Sequence, residues 1–209
     1  QGYNKYSAKG ANLDTANLVT FEGCKFGSLV RPIDGQNSAG GSYANVVRFL
    51  NCQSADNVGY FANNPSDAWT FVGCNFQACH DGAQRIVFSS TSVEWRSLVL
   101  INCGIYDATA AGSSYLNLGP GKALTILGGI WGGASGLGSS ALLGATGAIL
   151  GMSVKGAYIS RFTNVFAPAV GGNKAWDYNG GNVFDTCTTI VSAPSNVSGI
   201  SGTDLNVSV

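Results

Sequence analysis

Charge is the scarcest property of this chain. Only 11% of its 209 residues are charged, against about 25% in ordinary soluble domains. Eleven Lys and Arg balance eleven Asp and Glu, so the basic excess that suits a nucleic-acid partner is missing. There is one His, one Met and five Pro, and Glu occurs only at positions 22 and 94. Long apolar runs are lacking too. The best candidate, Ser139 to Met152, is interrupted by Gly144, Gly147 and Gly151 and falls short of the ~20 residues of a membrane helix, so no membrane insertion is expected. No Gly-x-Ser-x-Gly elbow, Walker loop or dinucleotide fingerprint is present, which argues against a serine triad and against nucleotide chemistry. The chain opens without Met, a signal peptide or a terminal cap, so neighbouring segments are expected on both sides.

Glycine is abundant instead, at 30 residues. Six short stretches repeat one pattern: apolar, any, apolar, any, Gly or Asn, small or Cys, any, apolar. They begin at Val19, Val47, Trp69, Leu98, Leu124 and, more weakly, Gly147. The leading alternation is that of a strand with opposite faces. The fifth position is Gly23, Asn51, Gly73, Asn102, Gly128 and Gly151. Gly and Asn enter the left-handed backbone region at low cost, and one such residue between two strands makes a sharp corner. The corners recur at 28, 22, 29, 26 and 23 residues. That period, without helical stretches or a leucine-rich consensus, predicts an all-β parallel β-helix, a solenoid of about six to eight coils with loops at the corners.

These stretches resemble the right-handed parallel β-helices of the pectate-lyase-like superfamily, and most closely its bacteriophage tailspike and tail-fibre branch. The resemblance covers roughly residues 13–155. It implies a virion tail protein, assembled in the host cytoplasm and acting outside the cell. Its partners would be the rest of the phage tail and a host capsule or lipopolysaccharide, which it binds with or without cleaving. A non-enzymatic shaft or adhesin, and a secreted microbial polysaccharide lyase, are the alternatives. Along the chain, residues 1–18 read as a connection or incomplete first coil, 19–190 as the helix, and 191–209 as the start of a further segment. The course of 132–147 and of 155–182 is left open by composition.

Cys24, Cys52, Cys74 and Cys103 share one position of the repeat, and Cys187 reads as a fifth member. Stacked, buried, reduced thiols are expected, since free Cys behaves as a small hydrophobe and thiols persist in a cytosol. Cys74, Cys79 and His80 are too few and too poorly spaced for zinc, so no metal or cofactor is expected.

Glycoside hydrolysis needs two carboxylates a few ångströms apart, and adjacent coils place equivalent loop positions about 4.8 Å apart. The candidates are Glu94 with Asp67, Asp81 or Asp107. Trp69, Trp95 and Tyr106 offer faces for sugar rings. His80, Arg85 and Arg96 offer the base and cations that a β-elimination would need. Solvated loop residues are the plain alternative for this set. Lastly, the residue before each corner should point outward. Glu22, Leu50, Val72, Ile101, Leu127 and Leu150 fill that place. The five aliphatic ones predict a stripe facing the axis of a parallel homotrimer.

Overall fold

A computed structural model describes residues 9–13, 16–27, 31–34, 45–55, 61–63, 67–77, 88–90, 95–106, 114–132, 141–202 and 206–207. The only helix among them is one 3-10 turn, Pro194–Asn196. The strands form three sheets of eight, and each strand pairs in parallel with the equivalent strand one coil away. The first sheet runs from Lys9–Asn12 to Thr189–Val191, the second from Leu18–Glu22 to Val197–Ser201, and the third from Lys25–Gly27 to Asn206–Val207. The chain is a parallel β-solenoid. Strands outside 19–190 belong to it as well: Lys9–Asn12 pairs with Arg31–Asp34, and Val197–Ser201 with Asn173–Asp177.

The repeat found in the sequence is the corner between the second and third sheets. Gly23, Asn51, Gly73, Asn102 and Gly128 all have φ between 48° and 67°. Their amides donate to the carbonyls of the next coil at 2.7–2.9 Å, so the ladder of bonds continues around the bend. Asn and Gly fit together here, because a Cβ on Gly73 would meet Asn51 Oδ1 at 2.5 Å.

The sixth corner is Gly156 (φ 64°), not Gly151. Gly151 sits within strand Ile149–Lys155, opposite Ala123 and Ala175. The better match to the repeat is Met152-Ser-Val-Lys-Gly156-Ala-Tyr-Ile159. The outward residue before that corner is therefore Lys155, paired with Leu127. Leu150 lies near the other end of its strand.

Inward residues fill the coil. Phe21, Phe49 and Phe71 stack face to face, with centroids 4.8 and 4.5 Å apart. Leu100, Ile126 and Val154 continue the same column. Strand Ala141–Ala145 belongs to the first sheet with Leu142 and Leu143 fully buried, so part of the 132–147 stretch is wound coil. The 155–182 stretch is coil too, with strands at Tyr158–Ser160, Asn164–Ala167 and Asn173–Asp177.

The last coils turn at corners that the sequence hides. Arg161 (φ 63°) and Thr186 (φ 52°) bend the chain from the third sheet to the first. Cys187, which follows Thr186, belongs to that corner, where Thr188 N donates to Phe162 O. It is not a fifth rung of the other thiol column.

Candidate functional site

The thiols come first, being the most reactive groups in the interior. Cys52, Cys74 and Cys103 are at most 2% exposed, Cys187 is buried and Cys24 half-buried, and all five are free. Each buried rung reaches back one coil. The thiols of Cys52, Cys74 and Cys103 donate to the carbonyls of Phe21, Phe49 and Phe71 at 3.4–3.5 Å. Burial pushes the Cys52 and Cys187 thiols up. The hydrogen bond with Cys74, and then burial, pushes Cys103 well up. The same bond draws Cys74 down to about 7. Cys52, Cys74 and Cys103 fill the corner between the second and third sheets and are packing groups.

The predicted sugar platforms are also interior. Trp69 and Trp95 are each 1% exposed, which corrects the expectation that they stack on a glycan. Trp69 shares its parity with inward Phe71. The Trp95 indole N–H donates to Gly119 O at 3.1 Å. Its ring lies over Gly121, where any side chain would overlap it. The Gly119-Pro-Gly121 turn thus leaves room for the indole and accepts its hydrogen bond.

Asp67 and Arg96 are brought together. Asp67 Oδ1 lies 3.2 Å from Arg96 Nε, and Asp67 O accepts from the amides of Arg96 and Ser97. Both residues sit where the chain enters the second sheet, one coil apart. Arg96 is 74% exposed, so the pair adds little stability, yet it already answers the charge that a substrate acid would need.

Glu94, Asp81, Asp107, His80 and Arg85 lie outside the described residues, as does the side chain of Tyr106. The strands around them still order them along the chain. His80, Asp81 and Arg85 fall between Gln77 of the third sheet and Phe88 of the first. Asp107 falls in the same connection one coil later. Glu94 and Asp67 belong instead to connections from the first sheet to the second. In chain order, Asp67 and Glu94 precede strands of the second sheet, and Asp81 and Asp107 precede strands of the first. Among the described residues no three His, Cys, Asp or Glu cluster as a metal site.

Three features escaped the sequence reading. Asn173 and Asn182 are buried polar plugs at 2% and 4% exposure. Asn182 Oδ1 accepts from Ala157 N, and its Nδ2 donates to Val154 O and Tyr178 O. Asn173 bonds Ile149 N, Ala169 O and Asn196 O in the same way. Their signal was the Gly-Gly-Asn triplet, which occurs at both positions. On the surface, the Tyr158 hydroxyl donates to Asp185 Oδ2, and this bond raises the phenol's pKa. Finally, a shallow cavity of about 290 Å³ is lined by Asn75, Gly104, Gly129 and Ile130, and Asn75 Oδ1 is buried there without a partner. Gly104 opens it, standing in an outward column where the neighbouring coils carry Asn75 and Ile130. Comparison of the chain with family models, with curated proteins and with solved structures found no match.

Proposed function

We propose that this chain is a segment of a bacteriophage tailspike or tail fibre that binds a host surface polysaccharide along the two borders of its first sheet. One observation carries the reading: loop length and chemistry are distributed unevenly around the coil. The corner from second to third sheet is two residues long in six successive coils, from Gly23-Cys24 to Gly156-Ala157. The connections bordering the first sheet vary from two residues, between Leu118 and Gly121, to eleven, between Asp34 and Val46, and those of four residues or more hold His80, Asp81, Arg85, Glu94 and Asp107. A rigid scaffold that carries polar and acidic residues in the connections between its strands suits recognition of an extended chain molecule. Stacked coils then offer similar positions at about 4.8 Å steps.

The test is a panel of capsular and lipopolysaccharide glycans, scored for binding and for new reducing ends or unsaturated-sugar absorbance. Binding that is lost in Arg85→Ala together with Asp81→Ala supports the reading, and absence of binding to every host glycan overturns it. One finding favours a second reading, the non-enzymatic shaft. With Trp69 and Trp95 in the core and Arg96 paired to Asp67, much of the expected catalytic surface is committed to the fold. On that reading the glycan is bound elsewhere, and neither binding nor cleavage by this segment is the expected result.

A further inference from the structure

The outer face of the third sheet turns apolar on its later coils, beside a carboxylate and an unpaired guanidinium. We infer, on the polysaccharide reading proposed above, that Tyr158, Asp185 and Arg161 form a subsite for one pyranose ring of the glycan, with Tyr158 as the stacking face.

The outward column that follows the corner changes character along the solenoid. Its first three coils carry Lys25, Gln53 and Asn75. Gly104 leaves a gap, and the next three coils carry Ile130, Tyr158 and Val183. These last three are 39–51% exposed. The strip is about 10 Å long at ~4.8 Å per coil. That is too small for the roughly 800 Å² per partner of a stable protein interface.

The column beside it carries Gly132, Ser160 and Asp185 on the same coils. The Tyr158 hydroxyl crosses to that column and donates to Asp185 Oδ2 on the next coil. This tether holds the phenol across the outer face, so the ring is positioned before a ligand arrives. Gly132 keeps the floor beside it low. Among the described residues, a Cβ there would meet nothing nearer than Ile105 O at 3.7 Å and Ser160 Oγ at 3.9 Å.

Arg161 follows Ser160, where the third sheet turns toward the first, so the subsite lies on one of the borders named above. It is exposed, and its amide donates to Asp185 O at 2.9 Å. Its guanidinium has no hydrogen-bond or ion-pair partner among the described residues. Its φ of 63° disfavours any residue with a Cβ, and such strain is often kept where the side chain is needed. From Gly104 onward, Asp185 is the only charged residue among the described ones of this outer face. Lys155, at the preceding corner, is already answered by Asp177 at 3.7 Å.

A pyranose ring has the matching chemistry. Its C–H face is apolar and packs on a phenol ring, while its hydroxyls stand around the edge. Adjacent hydroxyls donate to the remaining lone pairs of the Asp185 carboxylate and accept from Arg161, which only donates. A purely apolar ligand would desolvate both charges without replacing their water.

The test takes the panel glycans that the wild-type protein binds, with affinity read by calorimetry and folding by urea unfolding. Tyr158→Ala should weaken binding roughly tenfold or more. Tyr158→Phe, which keeps the ring and loses the tether, should weaken it less. Gly132→Leu should block the site while the fold stays intact, because the space above that strand is open. Arg161→Gly should move the two readouts in opposite directions. The fold gains stability, since Gly takes positive φ freely, and the glycan is held roughly tenfold less tightly. Wild-type affinity in both Tyr158→Ala and Gly132→Leu overturns the subsite. The polysaccharide reading survives that result if Arg85→Ala together with Asp81→Ala still abolishes binding. A changed oligomeric mass in Tyr158→Ala at unaltered glycan affinity assigns the strip to a second copy and also overturns the subsite. Absence of binding to every glycan overturns both.

Discussion

The same corner is packed in two ways along this solenoid. In the early coils the position after the corner residue is Cys52, Cys74 or Cys103, and each thiol donates to a carbonyl one coil back. In the late coils that position is Gly129, Ala157 and then Asn182, whose amide makes three bonds at once. The column beside it changes as well, from stacked Phe21, Phe49 and Phe71 to Leu100, Ile126 and Val154. One backbone bend thus accepts a thiol, an amide or no polar side chain at all. The two solutions differ in what failure costs. A thiol bond to a carbonyl is weak, while a buried amide that is removed strands several backbone groups.

Four measurements break or sharpen this comparison. The largest effect is expected where the packing changes over. Gly129→Ala would overlap Cys103 O and force Ala to φ 89°, a loss of about 4 kcal/mol or more in urea unfolding. Next, Asn182→Ala should cost about 3 kcal/mol, since Ala157 N, Val154 O and Tyr178 O all lose their partner. Cys103→Ala at the equivalent corner should cost only about 1–2 kcal/mol. Equal losses in the two variants would erase the distinction. Third, thiol titration should leave Cys52, Cys74, Cys103 and Cys187 silent in the native protein and find six groups after denaturation. Rapid native labelling of all six would refute burial.

The smallest effect concerns pH. The folded state raises the pKa of Cys187 above 9.0, through burial first. Below 9.0 the thiol is protonated in both states and its contribution is complete. Above 9.0 the unfolded thiol ionises first, so stability declines as pH rises. Cys187→Ala should make the alkaline slope of unfolding free energy shallower.

The fold was legible because the backbone left a chemical mark at one corner. Only Gly and Asn take positive φ cheaply, so Gly23, Asn51, Gly73 and Asn102 announced themselves. The corners at Arg161, Thr186 and Ala193 use residues that carry no such mark, and the late coils stayed hidden behind them. Gly151 misled for the opposite reason. Its neighbours Ile149, Leu150 and Met152 imitate the repeat, but the glycine lies mid-strand beside Ala123 and Ala175. For the site, residue type was weighed above strand parity. Trp69 alternates in step with Phe71 and so had to face inward, whatever indoles do on sugar-binding surfaces. Asp67 and Arg96 were both singled out, yet nothing in their spacing of 29 residues marked them as partners until the register was known.

Parallel stacking also sets how this chain would respond to tension. Each coil is joined to its neighbours by backbone bonds running along the solenoid axis. A pull on one terminus therefore peels the end coil while the rest of the stack stays intact. Every coil released frees as much chain as separates successive corners, 22 residues for Asn51 to Gly73 and 29 for Gly73 to Asn102. Those two steps correspond to about 75 and 100 Å of contour. Stretched from either end, the protein would lengthen as a ratchet of unequal clicks, its repeat lengths read out in order.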